Sequence, residues 1–466
     1  MRRLLVLLQL LALAPGSFGQ PPYTSPLYSV DTVRDIPYGA DTAFHGAVET
    51  LHFDLYRPVG DSNCLRPVAV VVHGGAWVAG TKQDPNVVYF ASELARRGWL
   101  AIAPQYRLGN HKTTNYSMYA LCNASLADPC VYAYDSAEVI RANYRGMQDI
   151  KGLLRQLSIR ASQDSADMGN LFLIGESAGG FVALTTAFTD RAIEKPAAAG
   201  QLSNVPAPDP DMYTYGCLPS GSDFSRPDLG SIRGNFATQI PDPVVRGVAS
   251  IYGGVLDSTL FIQTGSSPRT FLFHQGSDVI VNYDFGRLLS RISIECFAPT
   301  NFCQPVYNYP NAWGGEGIRR IFGNMGSQAP VIRSEIVYNY EYGNDCFDNG
   351  HSIDNTVLRF SQVLQFFSEG IDTTSNHPPN ACSSSSVNTL VDEPLLNVAV
   401  SGGYLQLVWS GTPVRQQVVI FSSDGSKAAE RYTESNSASF DVSGWAAGVY
   451  IVRLAGSGLS RKVVID

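Results

Sequence analysis

The chain has few charged side chains and no cluster of positive ones. Only 16% of its 466 residues are Asp, Glu, Lys or Arg, and the 41 acidic residues outnumber the 33 basic ones. Because no basic stripe with interleaved aromatic residues occurs, the composition argues against a nucleic-acid-binding protein. Hydrophobic residues make up 44% of the chain, which is enough for one large domain or for two domains with separate cores.

Long apolar runs are also scarce. The run at residues 4–14 follows Arg2-Arg3 and precedes Ser17-Phe18-Gly19. It is too short to cross a bilayer comfortably, and a basic start, an apolar centre and a small-residue end are typical of a secretory signal peptide. We therefore predict a signal peptide at residues 1–19, with a buried N-terminal helix as the alternative, and no transmembrane segment in the mature protein.

Cysteines are few, and none of them forms a C-x-x-C pair or a cluster with histidine, so the sequence predicts no metal site. An exported protein is expected to place its cysteines in disulfides. Closeness in sequence favours Cys122–Cys130 and Cys296–Cys303 but does not fix the other pairings. The eight cysteines are Cys64, Cys122, Cys130, Cys217, Cys296, Cys303, Cys346 and Cys382.

Buried strands alternate with helical segments through most of the chain. Continuous apolar runs at residues 68–72 and 99–103 are typical of strands that are buried on both faces. Residues 50–58 alternate like an antiparallel edge strand, and residues 136–157 and 356–369 have the apolar spacing of helices. This alternation predicts an α/β fold with a doubly wound, mostly parallel sheet.

Several stretches depart from the alternation. Residues 109–135 are expected to form a surface excursion near the mouth of the site, and residues 205–243 a functional lid or loop. Residues 296–327 are a second Cys-bounded, aromatic-rich excursion. The Ser- and Pro-rich residues 371–390 predict a linker. Short strands and turns in residues 391–466 predict a small β-sandwich domain, which leaves residues 20–370 as the α/β domain.

The pentapeptide Gly175-Glu176-Ser177-Ala178-Gly179 stands between an apolar strand and an apolar helical stretch. A G-x-S-x-G pattern in this context is typical of a nucleophile elbow. The tight turn lifts the Ser177 hydroxyl clear of the sheet, at a helix N-terminus where the dipole and free N–H groups favour a developing anion. Ser177 is therefore the predicted nucleophile, and Glu176 is predicted to be a structural hydrogen-bonding partner.

A nucleophilic serine needs an orienting acid and a base, which follow it in that order in α/β-hydrolases. Asp278 follows a strand in a turn of small residues, at the carboxyl edge of the sheet. His351 follows the last strand, where its Nε2 would reach Ser177 while its Nδ1 faces Asp278. The open alternatives are His274 and His377 as the base, and Asp284, Asp345 and Asp348 as the acid.

The segment His73-Gly74-Gly75-Ala76 follows another buried strand. Its small residues would allow backbone N–H groups to point into the site. Together with the N–H of Ala178, the N–H groups of Gly75 and Ala76 are predicted to form an oxyanion hole. An ordinary Gly-rich turn is the alternative.

Four motifs, FDLYRP, HGGAW, QYRL and GESAGG, occur in that order. Over roughly residues 50–370, the chain resembles the carboxylesterase and hormone-sensitive-lipase-like branch of the α/β-hydrolases. The resemblance implies hydrolysis of a small-molecule or polymer-borne ester through an acyl-enzyme, with no cofactor. It implies a triad of Ser177, Asp278 and His351, and oxyanion donors Gly75, Ala76 and Ala178. Ala76 replaces a glycine that is common in the family, but it keeps its N–H.

The end of the chain resembles a second family. The segments DGSKAAERYT, FDVSGWAAGVYIVRL and SRKVVID are similar to the C-terminal sorting domain of type IX secretion substrates in Bacteroidetes. This resemblance implies a secretion-machinery partner and a secreted or outer-membrane-surface location. A carbohydrate-binding or adhesive sandwich is the alternative.

For the whole chain, a serine peptidase of the prolyl-oligopeptidase type and a non-catalytic hydrolase-fold binding protein remain alternatives.

Overall fold

The computed structural model describes the chain in two groups of residues. The first group comprises residues 23–61, 63, 65–111, 133, 135–205, 224–262, 268–290, 309–338 and 350–373. The second comprises residues 396–401, 404–409, 416–423, 425–434, 437–455 and 460–465. The predicted signal peptide, all eight cysteines, most of the predicted linker, His377, Asp345 and Asp348 lie outside these residues. The chain divides into two compact units, Met1–His377 and Pro378–Asp466.

Twelve strands are described in the first unit. They are β1 (Ser29–Thr42), β2 (Val48–Val59), β3 (Arg66–Val72), β4 (Leu100–Pro104), β5 (Ala166–Glu176), β6 (Leu202–Val205), β7 (Phe224–Arg226), β8 (Val245–Ile251), β9 (Arg269–Gln275), β10 (Phe285–Arg287), β11 (Asn311–Trp313) and β12 (Ile332–Val337). Eight of them form one sheet in the order β1-β2-β4-β3-β5-β8-β9-β12, whereas β6 pairs with β7 and β10 with β11. Neighbours from β4 to β12 run parallel, and β2 runs antiparallel to both of its neighbours, β1 and β4. The predicted mostly parallel sheet is confirmed.

Helices cover both faces of this sheet. They are α1 (Pro85–Ala95), α2 (Ser136–Asp164), α3 (Ala178–Phe188), α4 (Gly315–Met325) and α5 (Thr356–Ser368). Val70 packs in a core with residues of α2, α3 and α4, whereas its neighbour Val71 packs in a second core with residues of α1 and α5. Successive side chains of a strand point to opposite faces, so the sheet is doubly wound as predicted. In the part of the chain that the structure describes, no helix is long and apolar enough to cross a bilayer.

One prediction about the first unit is wrong. Residues 50–58 are not an edge strand, because they lie in β2, which pairs with β1 on one side and with β4 on the other. The edge strand is β1. The excursion at residues 296–327 contains regular structure, because it includes β11 and α4, which lie between β9 and β12 in the chain. The side chains of Ile318 and Phe322 anchor α4 in the core.

The described residues of the second unit form two small sheets. Its strands are β13 (Leu396–Ser401), β14 (Tyr404–Trp409), β15 (Gln416–Ser422), β16 (Lys427–Thr433), β17 (Ser437–Asp441), β18 (Gly448–Leu454) and β19 (Ser460–Ile465). One sheet has the order β13-β14-β17 and the other β16-β15-β18-β19. Leu405 of β14, Ile420 of β15 and Val452 of β18 belong to one hydrophobic cluster, so the two sheets share a core, as expected for a small sandwich.

Candidate active site

Ser177 occupies a strained turn between β5 and α3. Its backbone has φ 52° and ψ −123°, a region that residues with a side chain rarely adopt. The turn is so tight that a Cβ on Gly179 would lie 2.3 Å from the carbonyl oxygen of Val72. The N–H of Ser177 donates to the Ile251 carbonyl at 2.9 Å. The elbow is therefore wedged between the ends of β3 and β8, which fixes the direction of the serine side chain.

The structure brings Ser177, His351 and Asp278 together. The Ser177 hydroxyl lies 2.8 Å from His351 Nε2, and His351 Nδ1 lies 2.8 Å from Asp278 Oδ2. Asp278 follows β9, and His351 precedes α5, so three separate loops at one edge of the sheet supply the three side chains. Asp278 is fully buried, whereas the side chain of His351 is 14% exposed, which leaves the serine end of the line accessible.

Asp278 is held as a carboxylate. Its Oδ1 accepts hydrogen bonds from the N–H groups of Ile280 and Val281 at 2.8 and 2.9 Å. Burial alone would raise the pKa of Asp278, but the His351 imidazole and hydrogen bonds from two histidines outweigh burial and lower the pKa to about 2. A carboxylate at this position requires the proton of His351 to sit on Nδ1, so that Nε2 is the acceptor of the serine proton.

The second histidine is His274, one of the alternatives for the base. Its Nε2 lies 3.1 Å from Asp278 Oδ2 and 3.0 Å from the carbonyl oxygen of Val281. Its Nδ1 accepts the N–H of Gly315 at 3.1 Å, so this arrangement requires a neutral imidazole with the proton on Nε2. His274 therefore binds the carboxylate of Asp278 and is not hydrogen-bonded to Ser177. Its position four residues before Asp278 on an apolar strand gave no signal for this role.

Three neighbours position the loop that carries His351. Gly350 has φ 67°, and a Cβ on it would lie 2.4 Å from Ser277 Oγ and 2.7 Å from the backbone nitrogen of Asp278. Only glycine allows the two loops to approach this closely. The side-chain amide of Gln275 donates to the carbonyls of Gly350 and Ser352 at 3.3 and 3.1 Å. The Tyr252 ring meets the His351 ring edge to face, with centroids 4.7 Å apart.

Glu176 binds groups other than the histidine. Its Oε1 accepts hydrogen bonds from the Tyr252 hydroxyl and from Asn86 Nδ2. Burial, reinforced by the charge of Glu176, raises the pKa of Tyr252 far above its usual range, so this tyrosine is a donor. No sequence motif marks Tyr252, since its contacts with Glu176 and His351 exist only in the folded chain. Asp284, an alternative acid, forms an ion pair with Arg320.

The loop after β3 lies against the elbow. A Cβ on Gly74 would be 3.1 Å from the Ser177 Cβ. Among the hydrogen bonds of the described residues, none uses the N–H of Gly75, Ala76 or Ala178. The structure therefore leaves the N–H groups of all three predicted oxyanion donors unused, with Ala178 at the first position of α3.

His73 is the first residue of this loop, and contacts inside the protein hold its ring in place. It is fully buried, and its ring stacks on Tyr106 with centroids 4.4 Å apart. Its Nδ1 lies 2.8 Å from the Gly74 carbonyl, to which it donates. Burial lowers the pKa of His73 to about 4, so the ring is neutral at physiological pH. Within the described ranges, no group of three or more His, Cys, Asp or Glu residues is arranged to hold a metal ion.

Comparison with known proteins gives one family match. A family described as alpha/beta hydrolase fold matches residues 69–217, a range that includes residues 73–76 and Ser177. No curated protein sequence matches the chain. Together with the strand order, the family match gives this chain an α/β-hydrolase fold, as the sequence predicted.

Solved structures that resemble the chain include three esterases. One is a truncated carbohydrate esterase from gut microbiota, with 13% identity, coverage of 75% of this chain and 99% of that chain, and a TM-score of 0.39. A second is esterase B from Lactobacillus rhamnosis, with 14% identity, 74% and 88% coverage, and a TM-score of 0.37. A third is a thermophilic esterase from the planctomycete Thermogutta terrifontis, with 14% identity, 71% and 93% coverage, and a TM-score of 0.38.

Proposed function

We propose that this chain is a serine carboxylic-ester hydrolase. The observation that carries the proposal is the hydrogen-bonded line from Ser177 through His351 to Asp278. It begins on a strained turn at a helix N-terminus, beside unused backbone N–H groups. A nucleophile, a base oriented by a buried carboxylate, and donors for an oxyanion are the parts that acyl transfer requires.

In the first half of the reaction, Ser177 Oγ attacks the ester carbonyl carbon while its proton passes to His351 Nε2. Asp278 stabilises the resulting imidazolium without taking the proton. The N–H groups of Gly75, Ala76 and Ala178 would hold the negative charge on the tetrahedral oxygen. Collapse of this intermediate breaks the bond to the alcohol, which leaves with the proton from His351 Nε2.

The second half repeats these steps with water. His351 takes a proton from a water molecule, whose oxygen attacks the acyl group on Ser177. Collapse of the second tetrahedral intermediate releases the carboxylic acid and returns the proton to Ser177. These steps involve no participants beyond the named residues, the substrate and water.

Substrate preference separates an esterase from a peptidase with the same triad. We expect the full chain to hydrolyse para-nitrophenyl acetate and the Ser177→Ala variant to lose this activity, while both unfold at similar temperatures. Hydrolysis of a peptide para-nitroanilide in preference to the ester would favour the peptidase alternative. No hydrolysis of either substrate by the folded protein would favour the binding-protein alternative.

We also propose export of this enzyme. The support is the signal-peptide pattern of residues 1–19 and the similarity of the tail to type IX sorting domains. The test is expression of the full chain in a host with that secretion system, beside a chain that ends at residue 390. Ester hydrolase in the medium or on the cell surface is expected only for the full chain. Equal export of both chains would contradict a sorting role for the tail.

A further inference from the structure

A cavity of about 220 Å³ lies beside α2, outside the line formed by Ser177, His351 and Asp278. Three buried arginines line it: Arg107, which follows β4, and Arg141 and Arg145 on the first turns of α2. Thr42 and Ser225 also line it and offer hydroxyl groups. Three buried cations around one small cavity are uncommon, because each loses hydration on burial.

The three arginines differ in what compensates their charge. The guanidinium of Arg107 binds Asp149 at 2.6 Å and Asp41 at 3.2 Å. The carboxylates of Asp149 and Asp41 therefore compensate the charge of Arg107. The cavity lining also holds the carboxylate of Asp228, which binds Lys195 outside the cavity.

Among the described residues, neither Arg141 nor Arg145 has a carboxylate bound in this way. Arg141 donates there to backbone carbonyls, those of Ala198, Gly200 and Pro227. Arg145 donates through Nη2 to the Gly109 carbonyl at 2.8 Å. Its Nε is buried with no acceptor among the described residues, and neither arginine forms an ion pair within that part of the chain.

Arg145 nevertheless keeps its charge. Burial lowers its pKa to about 10; the nearby carboxylate of Glu138 opposes this effect, and the neighbouring arginines reinforce it. A group with this pKa is protonated at physiological pH. Glu138 forms its ion pair with Arg226 and Asp149 with Arg107, so a further anion in contact with Arg145 would stabilise this buried cation.

We propose that this cavity binds a small polar molecule through a carboxylate or phosphate group, which accepts hydrogen bonds from Arg145 and Arg141. Planar guanidinium groups suit both oxyanions. A volume of about 220 Å³ corresponds to that of about seven liquid waters, so it admits an organic acid or phosphate ester as well as a bare ion. Hydroxyl groups on the ligand would meet Thr42, Gln148 and Ser225.

The cavity adjoins the candidate active site through the backbone. Arg145 binds the Gly109 carbonyl, and the N–H of Gly109 donates to the Trp77 carbonyl at 2.7 Å. Trp77 directly follows Ala76 of the oxyanion loop. The binding proposal itself does not depend on ester hydrolysis, because it rests only on the charges of the cavity.

The test is isothermal titration of the full chain with D-glucuronate, inorganic phosphate and uncharged D-glucose. Saturable binding of glucuronate or phosphate, but not of glucose, is expected, and the preferred anion identifies the source of the oxyanion. Ser225 is exposed on the cavity lining, so Ser225→Asp should fold while placing a negative charge opposite the arginines. This variant should bind about tenfold more weakly or worse, whereas Ser225→Asn should bind like the parent chain.

Two results would overturn the proposal. One is the absence of saturable binding of either anion to the folded parent chain. The other is equal anion binding by Ser225→Asp and Ser225→Asn, because the anion would then bind elsewhere. The Ser177→Ala variant should bind as tightly as the parent chain, so failure of ester hydrolysis and failure of anion binding are separate outcomes.

Discussion

His274 donates to the same oxygen of Asp278 that accepts the proton of His351. The two histidine nitrogens lie 3.1 and 2.8 Å from Asp278 Oδ2. Because His274 is buried and the Gly315 N–H occupies its Nδ1, it holds the carboxylate in place without access to substrate. We therefore regard His274 as a positioning residue.

This role predicts a difference between two substitutions of His274. His274→Leu removes the donor and should lower kcat by about tenfold with little change in KM, since a hydrogen bond to a charged group contributes about 1.5–3 kcal/mol. His274→Gln retains an N–H donor and should recover most of the loss. Steady-state kinetics on a para-nitrophenyl ester measures both, and equal losses in the two variants would indicate a purely structural role.

Neutralising the side chain of Asp278 should lower kcat far more than neutralising that of Glu176. Asp278→Asn should lower kcat by about a thousandfold or more, because the asparagine side chain can favour the wrong tautomer of His351. Glu176→Gln should stay within about tenfold of the parent chain, since Glu176 bonds Tyr252 and Asn86 and not the histidine. A larger loss for Glu176→Gln than for Asp278→Asn would reverse the assignment of the acid.

The depressed pKa of Asp278 predicts a dependence of stability on pH. A carboxyl whose pKa is about 2 in the folded chain and about 3.9 when unfolded contributes about 2.6 kcal/mol to folding above about pH 5. This contribution is lost as the pH falls from about 5 to about 1. Urea unfolding of the parent chain and of Asp278→Asn should therefore show a stability difference that shrinks over this range. A difference independent of pH would contradict the low pKa.

Alanine substitutions at Gly350 and Gly46 separate the effect of a clash between two loops from the effect of backbone strain. A Cβ on Gly350 would clash with the Asp278 loop, whereas one on Gly46, which also has positive φ, would meet nothing within 4 Å. Both alanine variants should lose about 1 kcal/mol of stability through strain. Only Gly350→Ala should displace His351 and lower kcat, by up to about a hundredfold. Similar kcat values for the two variants would contradict the claim that the close approach of the Gly350 and Asp278 loops positions His351.

Local pattern predicted the elements that form the site. The apolar runs of β3, β4 and β5 are buried on both faces, so their sequences are continuous and easy to recognise. The elbow motif, the chain order of the triad and the position of Asp278 after β9 are likewise local features. The structure brings the three predicted side chains within hydrogen-bonding distance, whereas their catalytic roles stay predictions until they are tested.

Edge strands were harder to predict. Most residues of β1 are exposed or half-buried, and β16, KAAERYT, has mainly exposed side chains. Such strands carry no apolar alternation, because the pairing of the backbone, and not burial, holds them in the sheet. Neither strand is therefore marked by a pattern in the sequence.

Contacts between distant segments could not be predicted either. Tyr252 lies 99 residues before His351 in the chain, yet their rings touch. Gln275 reaches the backbone on both sides of His351 in the same way. No motif marks these residues, since their role depends on the tertiary arrangement of the loops.

Labelling with a fluorophosphonate tests the central claim most directly, because this probe reacts with a serine only when a base activates it. The purified full chain is treated with the probe, digested and analysed by peptide mass spectrometry, with heat-unfolded chain and Ser177→Ala as controls. The account predicts a single adduct on Ser177 of the folded chain and none in either control. An adduct on another residue, or none on the folded chain, would contradict the proposed triad.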